Sequence, residues 1–318
     1  MAESSIEWTD YTFNPLWGCE KISPGCKNCY AMAWDKRVGG KHWGPGSDRR
    51  QFSDKHWAEP LKWNAKAAKD GRIYRVFCAS MADVFEDHSD WIEPRKRIFD
   101  LIGRTPNLIW LLLTKRPENI WPLSKGLPPL PSNLMFGVTI EDQQRLIERV
   151  PHIIEVKRRY PGVEVFGSYE PLLSTLEWGG NPYFLKLFAW AICGGESGHG
   201  ARPMHPDWAR KLRDDCARAS VAFFFKQWGE WCHGSDCRSD ANIVLSNGRA
   251  GSSSEDFDEE TRRLWTDFRP EMMAKVGKRK AGRLLDGIEH NGLPLYWPSN
   301  VGLLTPNVIA QSSTIHLL

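Results

Sequence analysis

Short apolar runs alternate with longer amphipathic segments along most of the chain. Seven runs have the length and continuous apolar character of strands buried on both faces, at 11–16, 73–79, 108–113, 134–138, 163–167, 188–193 and 221–225. Segments of helical length lie between them, at 27–38, 56–69, 91–103, 142–159 and 206–219. Alternation repeated this often predicts a parallel α/β sheet, and seven strands in about 230 residues favour a partial or full (βα) barrel of mostly parallel strands.

Two regions interrupt this alternation. Residues 38–54 are rich in Gly, Arg and His and predict a loop, while residues 232–255 are rich in Ser, Gly and Asp and predict an exposed insertion. The segment 256–276 then predicts a helix, followed by an irregular, partly basic tail. We therefore expect a barrel with an N-terminal cluster loop over 1–231, an insertion over 232–255, and a C-terminal helix and tail packed on the barrel over 256–318.

Polar or charged residues follow six successive apolar runs. In chain order these clusters are Ser80 and Asp83; Thr114, Lys115 and Arg116; Thr139 and Glu141; Ser168 and Glu170; Gly194, Gly195, Glu196 and Ser197; and Lys226, Gln227 and Trp228. A strand has to end in something polar, so one such cluster means little. In a parallel barrel, however, the carboxyl ends of all strands open on one face, so six clusters in succession predict one shared polar site there.

Three cysteines stand within eleven positions near the start, in the stretch NPLWGCEKISPGCKNCYAMAW. Cys19, Cys26 and Cys29 are separated by six and then two residues. Thiolates are soft ligands that suit iron–sulfur clusters and zinc, but structural zinc normally takes four protein ligands. Three thiolates on a four-iron cluster leave one iron open, and the amino and carboxylate groups of S-adenosylmethionine suit that position. The loop therefore predicts a 4Fe-4S cluster that works with S-adenosylmethionine.

Zinc is the alternative occupant of the same three cysteines. It requires a distant fourth ligand, and the candidates are His42, His56, Cys232 and Cys237. Cys232, His233 and Cys237 form a second group with three possible roles. They could bind another metal, Cys232 could donate a hydrogen atom to a radical, or all three could be ordinary loop residues.

Composition and charge limit the class of protein. The 318 residues are 41% hydrophobic and 25% charged, and no apolar run approaches the roughly 20 residues of a membrane span. The start, MAESSIEWTD, has no basic and apolar secretory pattern, so we expect a cytoplasmic protein without a disulfide framework and without a membrane partner. The net charge of +3 is mildly basic, and sixteen tryptophans suit both a core and a site that stacks flat ligands.

With these residues in view, the chain resembles a family found in bacteriophages, prophages and bacteria that was long without an assigned function. It is similar to a divergent branch of the radical S-adenosylmethionine superfamily. The matching stretches cover most of residues 7–287 and are FNPLWGCEKISPGCKNCYA, FCASMADVFED, LLLTKRPENI, NLMFGVTIEDQ, SYEPLL, ICGGESGHGARPMHPDWARKLRDDC, FFFKQWGEW and GKRKAGRLLDG.

The resemblance implies a partial (βα)6-type barrel with the cluster loop after the first strand. It also implies reductive cleavage of S-adenosylmethionine to methionine and a 5′-deoxyadenosyl radical, with an electron donor of the flavodoxin or ferredoxin type. The superfamily usually spaces its cysteines by three and then two residues. Its Gly-Gly-Glu element usually follows the second strand, where this chain has Ser80 and Asp83, whereas Gly194-Gly195-Glu196 follows the sixth.

Roles at the predicted site follow from the chemistry of the ligand. An ammonium group needs acceptors such as Asp83 or Glu196, and a carboxylate needs a cation such as Lys115 or Arg116. The Gly194–Gly195 pair either permits close approach of a ligand or is an ordinary strand-ending turn. Hydroxyls and carboxylates suited to ribose are Thr139, Glu141, Ser168 and Glu170.

Further substrate contacts are expected from Lys226, Gln227, Arg202 and His205. For Lys226 the alternative is a structural contact with Glu230. The resulting hypothesis is a radical enzyme that acts on a nucleic acid or nucleotide, for example in modification or as a repair lyase. The competing hypothesis is a non-enzymatic zinc or Fe–S module that binds DNA or a partner protein.

Overall fold

A seven-stranded parallel sheet forms the larger part of the molecule. The computed structural model describes residues 4–127, 129–179, 182–233, 241–264 and 267–294. The strands lie side by side in chain order, and within the described residues the two outer strands do not pair with each other. This confirms the α/β class and makes the barrel a partial one. The strands are β1 (Tyr11–Thr12), β2 (Tyr74–Cys78), β3 (Leu108–Thr114), β4 (Leu134–Thr139), β5 (Glu164–Tyr169), β6 (Trp190–Gly194) and β7 (Ala222–Gln227).

Helices connect successive strands. All five predicted helical segments contain a helix, and Pro206–Ala219 has the predicted bounds. The segment 56–69 instead holds two helices that meet at Ala58, because Pro60 lies in the first turn of the second one and favours a helix start. The helices between the strands are α1 (Tyr30–Arg37), α2 (Asp54–Trp57), α3 (Glu59–Asp70), α4 (Ile92–Gly103), α5 (Ile120–Ser124), α6 (Gln143–Arg159) and α7 (Pro206–Ala219).

The sheet curls around the side chain of Trp8. The Trp8 ring centroid lies 4.7 Å from that of Phe77 on β2 and 6.1 Å from that of Trp190 on β6. These two strands are four places apart in the sheet, which in a flat sheet would separate them by about 19 Å. Curling therefore gives the sheet a concave inner face with its own apolar cluster, whose members are Trp8, Phe77, Ile109, Leu111, Met135, Phe166, Trp190, Ile192 and Phe224.

A second, antiparallel sheet follows β7 and corrects two expectations. Its strands, in the spatial order β10-β9-β11-β8, are β8 (Trp231–His233), β9 (Ala241–Val244), β10 (Ala250–Gly251) and β11 (Glu271–Lys275). The described residues of 232–255 therefore contribute strands to a folded sheet rather than forming only an exposed insertion. The predicted helix over 256–276 was wrong, because only α8 (Glu259–Arg263) is helical, apart from a short 3₁₀ turn, among its described residues.

The sequence EMMAK favours a helix by local propensity, but it forms β11. It pairs with β8 on one side and β9 on the other, and it buries Met273 and Ala274. Hydrogen bonds on both edges and this burial outweigh helix propensities that differ by less than about 1 kcal/mol per residue.

The C-terminal tail packs on the barrel as far as it is described. After α9 (Lys278–Ala281), the chain runs along β7, where the Phe225 amide donates to His290 O and the Gly292 amide donates to Phe223 O, both at 2.9 Å. The Trp228 indole donates to Leu284 O at 2.8 Å. Among the helices of the described ranges, none combines the length and apolar character needed to cross a membrane.

Candidate functional site

A cavity of about 430 Å³ lies at the carboxyl ends of the parallel strands, beside the loop that joins β1 to α1. Trp8 and Phe77 contribute to its apolar wall. Its lining brings together the three cysteines of that loop and the polar side chains that follow the strands, namely Cys19, Cys26, Cys29, Ser80, Asp83, Thr114, Lys115, Arg116, Thr139, Ser168, Glu170, Ser197, Lys226 and Gln227.

Four of the residues predicted to hold S-adenosylmethionine lie outside this lining: Glu141, Gly194, Gly195 and Glu196. The structure nevertheless places each of them next to the site. The two carboxylates hold the cysteine loop, Gly195 lies against the backbone of Trp228, and Gly194 lies against the side chain of Glu170.

The buried carboxylate of Glu86 holds the loop beside Cys19. It accepts hydrogen bonds from Arg49 Nε at 2.8 Å and Arg49 Nη2 at 2.9 Å, which is a bidentate pair. The same carboxylate accepts from the backbone amide of Glu20 at 3.0 Å. Both side chains of the pair are nearly inaccessible, so the ion pair is shielded from water and fixes the chain directly after Cys19.

Asp83 is saturated by neighbouring protein groups. Its Oδ1 accepts from Thr114 Oγ1 at 2.7 Å and from the Phe85 amide at 3.0 Å. Its Oδ2 accepts from the Lys115 amide at 3.1 Å and from Arg116 Nη1 at 3.0 Å. A carboxylate offers about four acceptor positions, so Asp83 lines the cavity without free capacity for a ligand ammonium.

Arg116 links this network to the first cysteine. Besides Asp83, its Nη1 contacts Cys19 Sγ at 3.5 Å, and its Nη2 donates to Glu20 O at 3.0 Å. Its guanidinium is therefore held by protein acceptors, and it supplies positive charge at the Cys19 sulfur.

Two of the thiols differ in how readily they ionise. Burial and the Asp83 carboxylate raise the pKa of Cys19 to about 12, and the Arg116 guanidinium opposes them. Burial also raises the pKa of Cys26, but the Lys115 ammonium and local hydrogen bonds outweigh it, so this pKa lies below its ordinary value. Each of the two sulfurs thus has a neighbouring cation that opposes the effect of burial. Only at Cys26 does the cation outweigh burial and favour the thiolate form that binds iron.

Glu141 supports the loop beside Cys26. It is fully buried, and its Oε1 accepts from the Gly25 amide at 3.3 Å while its Oε2 pairs with Arg149 Nη1 at 2.6 Å. Burial opposes ionisation, but Lys115 and Arg149 lower the pKa of Glu141 below its ordinary value. With both oxygens engaged, this carboxylate positions the cysteine loop rather than facing a ribose.

Glu196 supports the same loop from the other side. Its carboxylate accepts from Arg202 Nε at 2.8 Å and Nη2 at 2.6 Å, and from Asn28 Nδ2 at 3.0 Å. Arg202 Nη2 also donates to Pro24 O at 2.9 Å. The Gly-Gly-Glu element therefore reaches the residues that flank Cys26 and Cys29, and Arg202 belongs to this support.

Gly195 allows close approach of backbone after β7. A Cβ built at this position would lie 2.0 Å from Trp228 O, and one at Gly194 would lie 2.8 Å from Glu170 Oε1. The space beside the glycine pair is thus occupied by the protein itself. This agrees with the interpretation of the pair as a strand-ending turn.

Lys226 and Gln227 face the cavity from the end of β7. Lys226 Nζ pairs with Glu170 Oε1 at 3.0 Å, whereas Glu230 binds the Gly198 amide, so the alternative Lys226–Glu230 contact was wrong. Gln227 Nε2 donates to Ser197 Oγ at 2.8 Å. Its Oε1 is buried and has no hydrogen-bond partner among the described residues. This orphaned acceptor is available to a donor on a bound molecule.

Other residues considered at the sequence level have structural roles. His205 is completely buried at the start of α7, where its Nδ1 accepts from the Asp207 amide and its Nε2 meets Arg269 O at 2.7 Å. Its expected contact with substrate was therefore wrong, because burial removes it from the cavity.

The expected second metal site at Cys232, His233 and Cys237 is not seen in the described residues of this group. Cys232 is disulfide-bonded, so it has no thiol hydrogen to donate to a radical. His233 Nε2 pairs with Glu271 Oε2 at 2.9 Å. Cys237 lies outside the described residues.

The two histidines proposed as a fourth zinc ligand, His42 and His56, instead form hydrogen bonds with protein groups. His42 Nδ1 bonds Asp35 Oδ1 at 2.8 Å, and His56 Nε2 bonds Asn14 O at 3.0 Å while its ring stacks on Phe13. Within the described part of the chain, no group of three or more His, Cys, Asp or Glu side chains is arranged to hold a single metal ion.

Sequence reasoning missed Arg49 and Glu86. Arg49 stands next to Arg50 within the predicted loop 38–54, yet its side chain is only 1% exposed. A pair separated by 37 positions leaves no local signal. The nearest indication of this ion pair in the sequence is the run of acidic residues after β2, Asp83, Glu86 and Asp87. A carboxylate in such a run needs a cationic partner if folding buries it.

Comparison with known proteins shows the family to which the chain belongs. The model of a family described as "Protein of unknown function (DUF5131)" matches residues 3–294, which is nearly the whole chain. A search of curated proteins gave no match.

Proposed function

We propose that this chain, which belongs to the DUF5131 family of proteins of unknown function, is a radical S-adenosylmethionine enzyme acting on a nucleic acid or nucleotide. The observation that carries the proposal is the shared cavity. Cys19, Cys26 and Cys29 line it together with the polar side chains at the carboxyl ends of six strands. The resemblance of the stretches quoted above to a branch of the radical superfamily supports the same proposal.

The donor set fits a cluster that keeps one iron open. Three thiols are soft ligands, and in a four-iron cluster each binds a different iron. In this proposal Cys19, Cys26 and Cys29 hold the cluster, while Glu86, Glu141 and Glu196 keep their loop in place through the bonds described above. When bound and reduced by a flavodoxin- or ferredoxin-type donor, the cluster and S-adenosylmethionine supply a 5′-deoxyadenosyl radical.

Two groups in the cavity have free capacity for an amino-acid moiety. Lys115 forms no ion pair with a described residue, and its Nζ lies 3.3 Å from Thr139 Oγ1, so it can bind a carboxylate. The unpartnered Gln227 Oε1 can accept from an ammonium or a hydroxyl. Thr139, Ser168 and Glu170 offer further polar atoms for ribose hydroxyls. These assignments replace Asp83 and Glu196 as candidate ammonium acceptors.

The cavity wall combines apolar aromatic side chains, which would shield a radical from water, with an excess of cations, which would attract an anionic substrate. Trp8 and Phe77 are buried aromatic side chains that exclude water from one side. Cations outnumber carboxylates in the lining, since it contains Lys21, Lys115, Arg116, Lys226 and Lys278 against Glu20, Asp83 and Glu170. This excess of positive charge favours a substrate that carries phosphate.

Anaerobic reconstitution with iron and sulfide tests the proposal. We expect a brown protein that binds about four irons per chain, absorbs broadly in the visible, and cleaves S-adenosylmethionine after reduction with dithionite. The triple variant C19A/C26A/C29A should lose both iron and cleavage. The matched control is Cys216→Ala, because this cysteine is buried in α7 and does not line the cavity.

A second set of results would contradict the proposed enzyme. A colourless protein that retains stoichiometric zinc after anaerobic purification and does not cleave S-adenosylmethionine would support the non-enzymatic binding module instead. If cleavage occurs, incubation with phage or host DNA and mass spectrometry of the nucleosides tests the substrate class. Absence of any altered nucleoside would exclude DNA as the substrate.

A further inference from the structure

A second groove, of about 630 Å³, adjoins the cavity and runs along α1. The two spaces share Cys29, Tyr30 and Met81 in their linings. A molecule lying in the groove would therefore pass directly beside the cysteine loop. Neither the family match nor the proposed chemistry explains what this groove holds.

Two aromatic rings are exposed in the groove. Tyr30 is 55% exposed and Trp34 is 44% exposed, and their separation by four positions places them on the same face of α1. Tyr30 OH donates to Ser80 O at 2.9 Å, which fixes that ring. The Arg37 guanidinium lies 4.4 Å from the Trp34 ring centroid. Two large rings left in water, side by side and held in place, form a surface for a flat ligand.

The charge in the groove is of one sign. Its charged side chains are those of Lys27 and Arg37, and its lining contains no Asp or Glu among the described residues. Lys27 and Arg37 form no ion pair with a described residue. Asp35, the acidic residue of α1, is buried and bonded to His42 instead. Cations without carboxylate partners favour an anionic occupant, and this distinguishes the groove from a site for an apolar peptide.

We propose that the groove binds a single strand of nucleic acid. Bases stack on Trp34 and Tyr30, phosphates lie near Lys27 and Arg37, and the strand brings one nucleotide to the cavity. A single strand is required because base pairing hides the faces that would stack on the rings. The inference rests on the proposed function for the chemistry in the cavity, but the binding itself is independent of that chemistry.

Fluorescence anisotropy with the reconstituted full chain tests the inference. The probes are labelled single-stranded DNA, single-stranded RNA and a DNA duplex, all of one sequence. Either single strand should bind more tightly than the duplex, and Trp34→Ala should raise its Kd about 5- to 100-fold. Trp34→Phe, which keeps a ring, should restore most of the affinity.

Arg37→Gln should weaken binding and lower the slope of log K against log salt by about 0.7, because one phosphate contact is lost. The matched control is Arg159→Gln. Arg159 lies 4.4 Å from the Trp121 ring centroid, the same distance as in the Arg37–Trp34 pair, but it stands outside the groove and is paired with Glu155. This variant should bind like the unmodified protein.

Tighter binding of the duplex, or equal affinity of the Trp34→Ala variant, would overturn the inference. Cleavage of S-adenosylmethionine without nucleic acid separates the two proposals, since Trp34→Ala should leave it unchanged. Intact cleavage by a protein that binds no single strand would reject the groove and keep the enzyme. Strand binding that depends on Trp34 in a protein unable to cleave S-adenosylmethionine would keep the groove and reject the enzyme.

Discussion

Replacing Glu86 by glutamine removes the charge that ties the cysteine loop to the segment after β2. The Glu86 side chain is 5% exposed, and it accepts two hydrogen bonds from Arg49 and one from the Glu20 amide. It also lies 3.6 Å from Arg116 Nη2. Glutamine keeps the size of the side chain but directs an amide NH₂ at a guanidinium. The Arg49 charge, 1% exposed, is then left without its partner.

The expected loss of stability is large because the pair is buried. Removing one partner of a buried ion pair typically costs about 3–5 kcal/mol. With a urea m-value of about 3 kcal/mol/M, the unfolding midpoint should fall by about 1–1.7 M. The matched control is Glu93→Gln, since Glu93 is 78% exposed and pairs with Lys96, which is 56% exposed. The midpoint of this control should not move beyond experimental error.

Urea unfolding followed by tryptophan fluorescence measures the midpoint, and iron analysis after reconstitution measures the state of the loop. E86Q should be less stable and should bind less iron, because the chain next to Cys19 is no longer held. A midpoint equal to that of E93Q would refute the calculation from burial. A lower midpoint with full iron content would show that Glu86 stabilises the fold without organising the cysteine loop.

Three further substitutions test other parts of the site. Burial would raise the pKa of Glu196, but the Arg202 guanidinium outweighs burial and lowers it. The ionised carboxylate therefore stabilises the fold at pH values above its ordinary pKa of 4.5, and this stabilisation is lost as the pH falls through the folded-state pKa. Unfolding midpoints between about pH 5 and about pH 3 should therefore fall less steeply for E196Q than for the unmodified protein, and equal slopes would contradict the assignment. Gly195→Ala brings a Cβ within 2.0 Å of backbone and should cost about 3 kcal/mol in urea unfolding, whereas Gly162→Ala meets no atom within 4 Å and should change stability by less than about 1 kcal/mol. Lys115→Met should raise the concentration of S-adenosylmethionine needed for half-maximal cleavage about tenfold. The rate is normalised to bound iron, because Lys115 also favours the Cys26 thiolate, and an unchanged requirement would remove its role in binding the carboxylate.

The alternation of apolar and polar segments was enough to predict the barrel. Each of the seven predicted runs overlaps one strand of the parallel sheet, and α7 has the predicted bounds. Strands buried on both faces and amphipathic helices have different periodicities, and these are local properties of the chain. The rule that carboxyl ends of parallel strands open on one face then placed Lys115, Thr139 and Glu170 with the cysteines in one lining.

The second sheet could not be predicted in the same way. EMMAK forms β11 because β8 and β9 flank it, and these partners are distant in the chain. The tail likewise pairs with β7 through contacts that no local pattern specifies.

The sequence by itself determined the strands, the polar face and the three candidate cysteine ligands, because spacing and periodicity belong to neighbouring residues. Only the tertiary structure decided which carboxylates are free. Asp83, Glu141 and Glu196 have the same chemistry as a ligand-binding acid, but Arg116, Arg149 and Arg202 already engage them. A side chain's remaining hydrogen-bonding capacity depends on partners brought together by folding, and a sequence does not specify those partners.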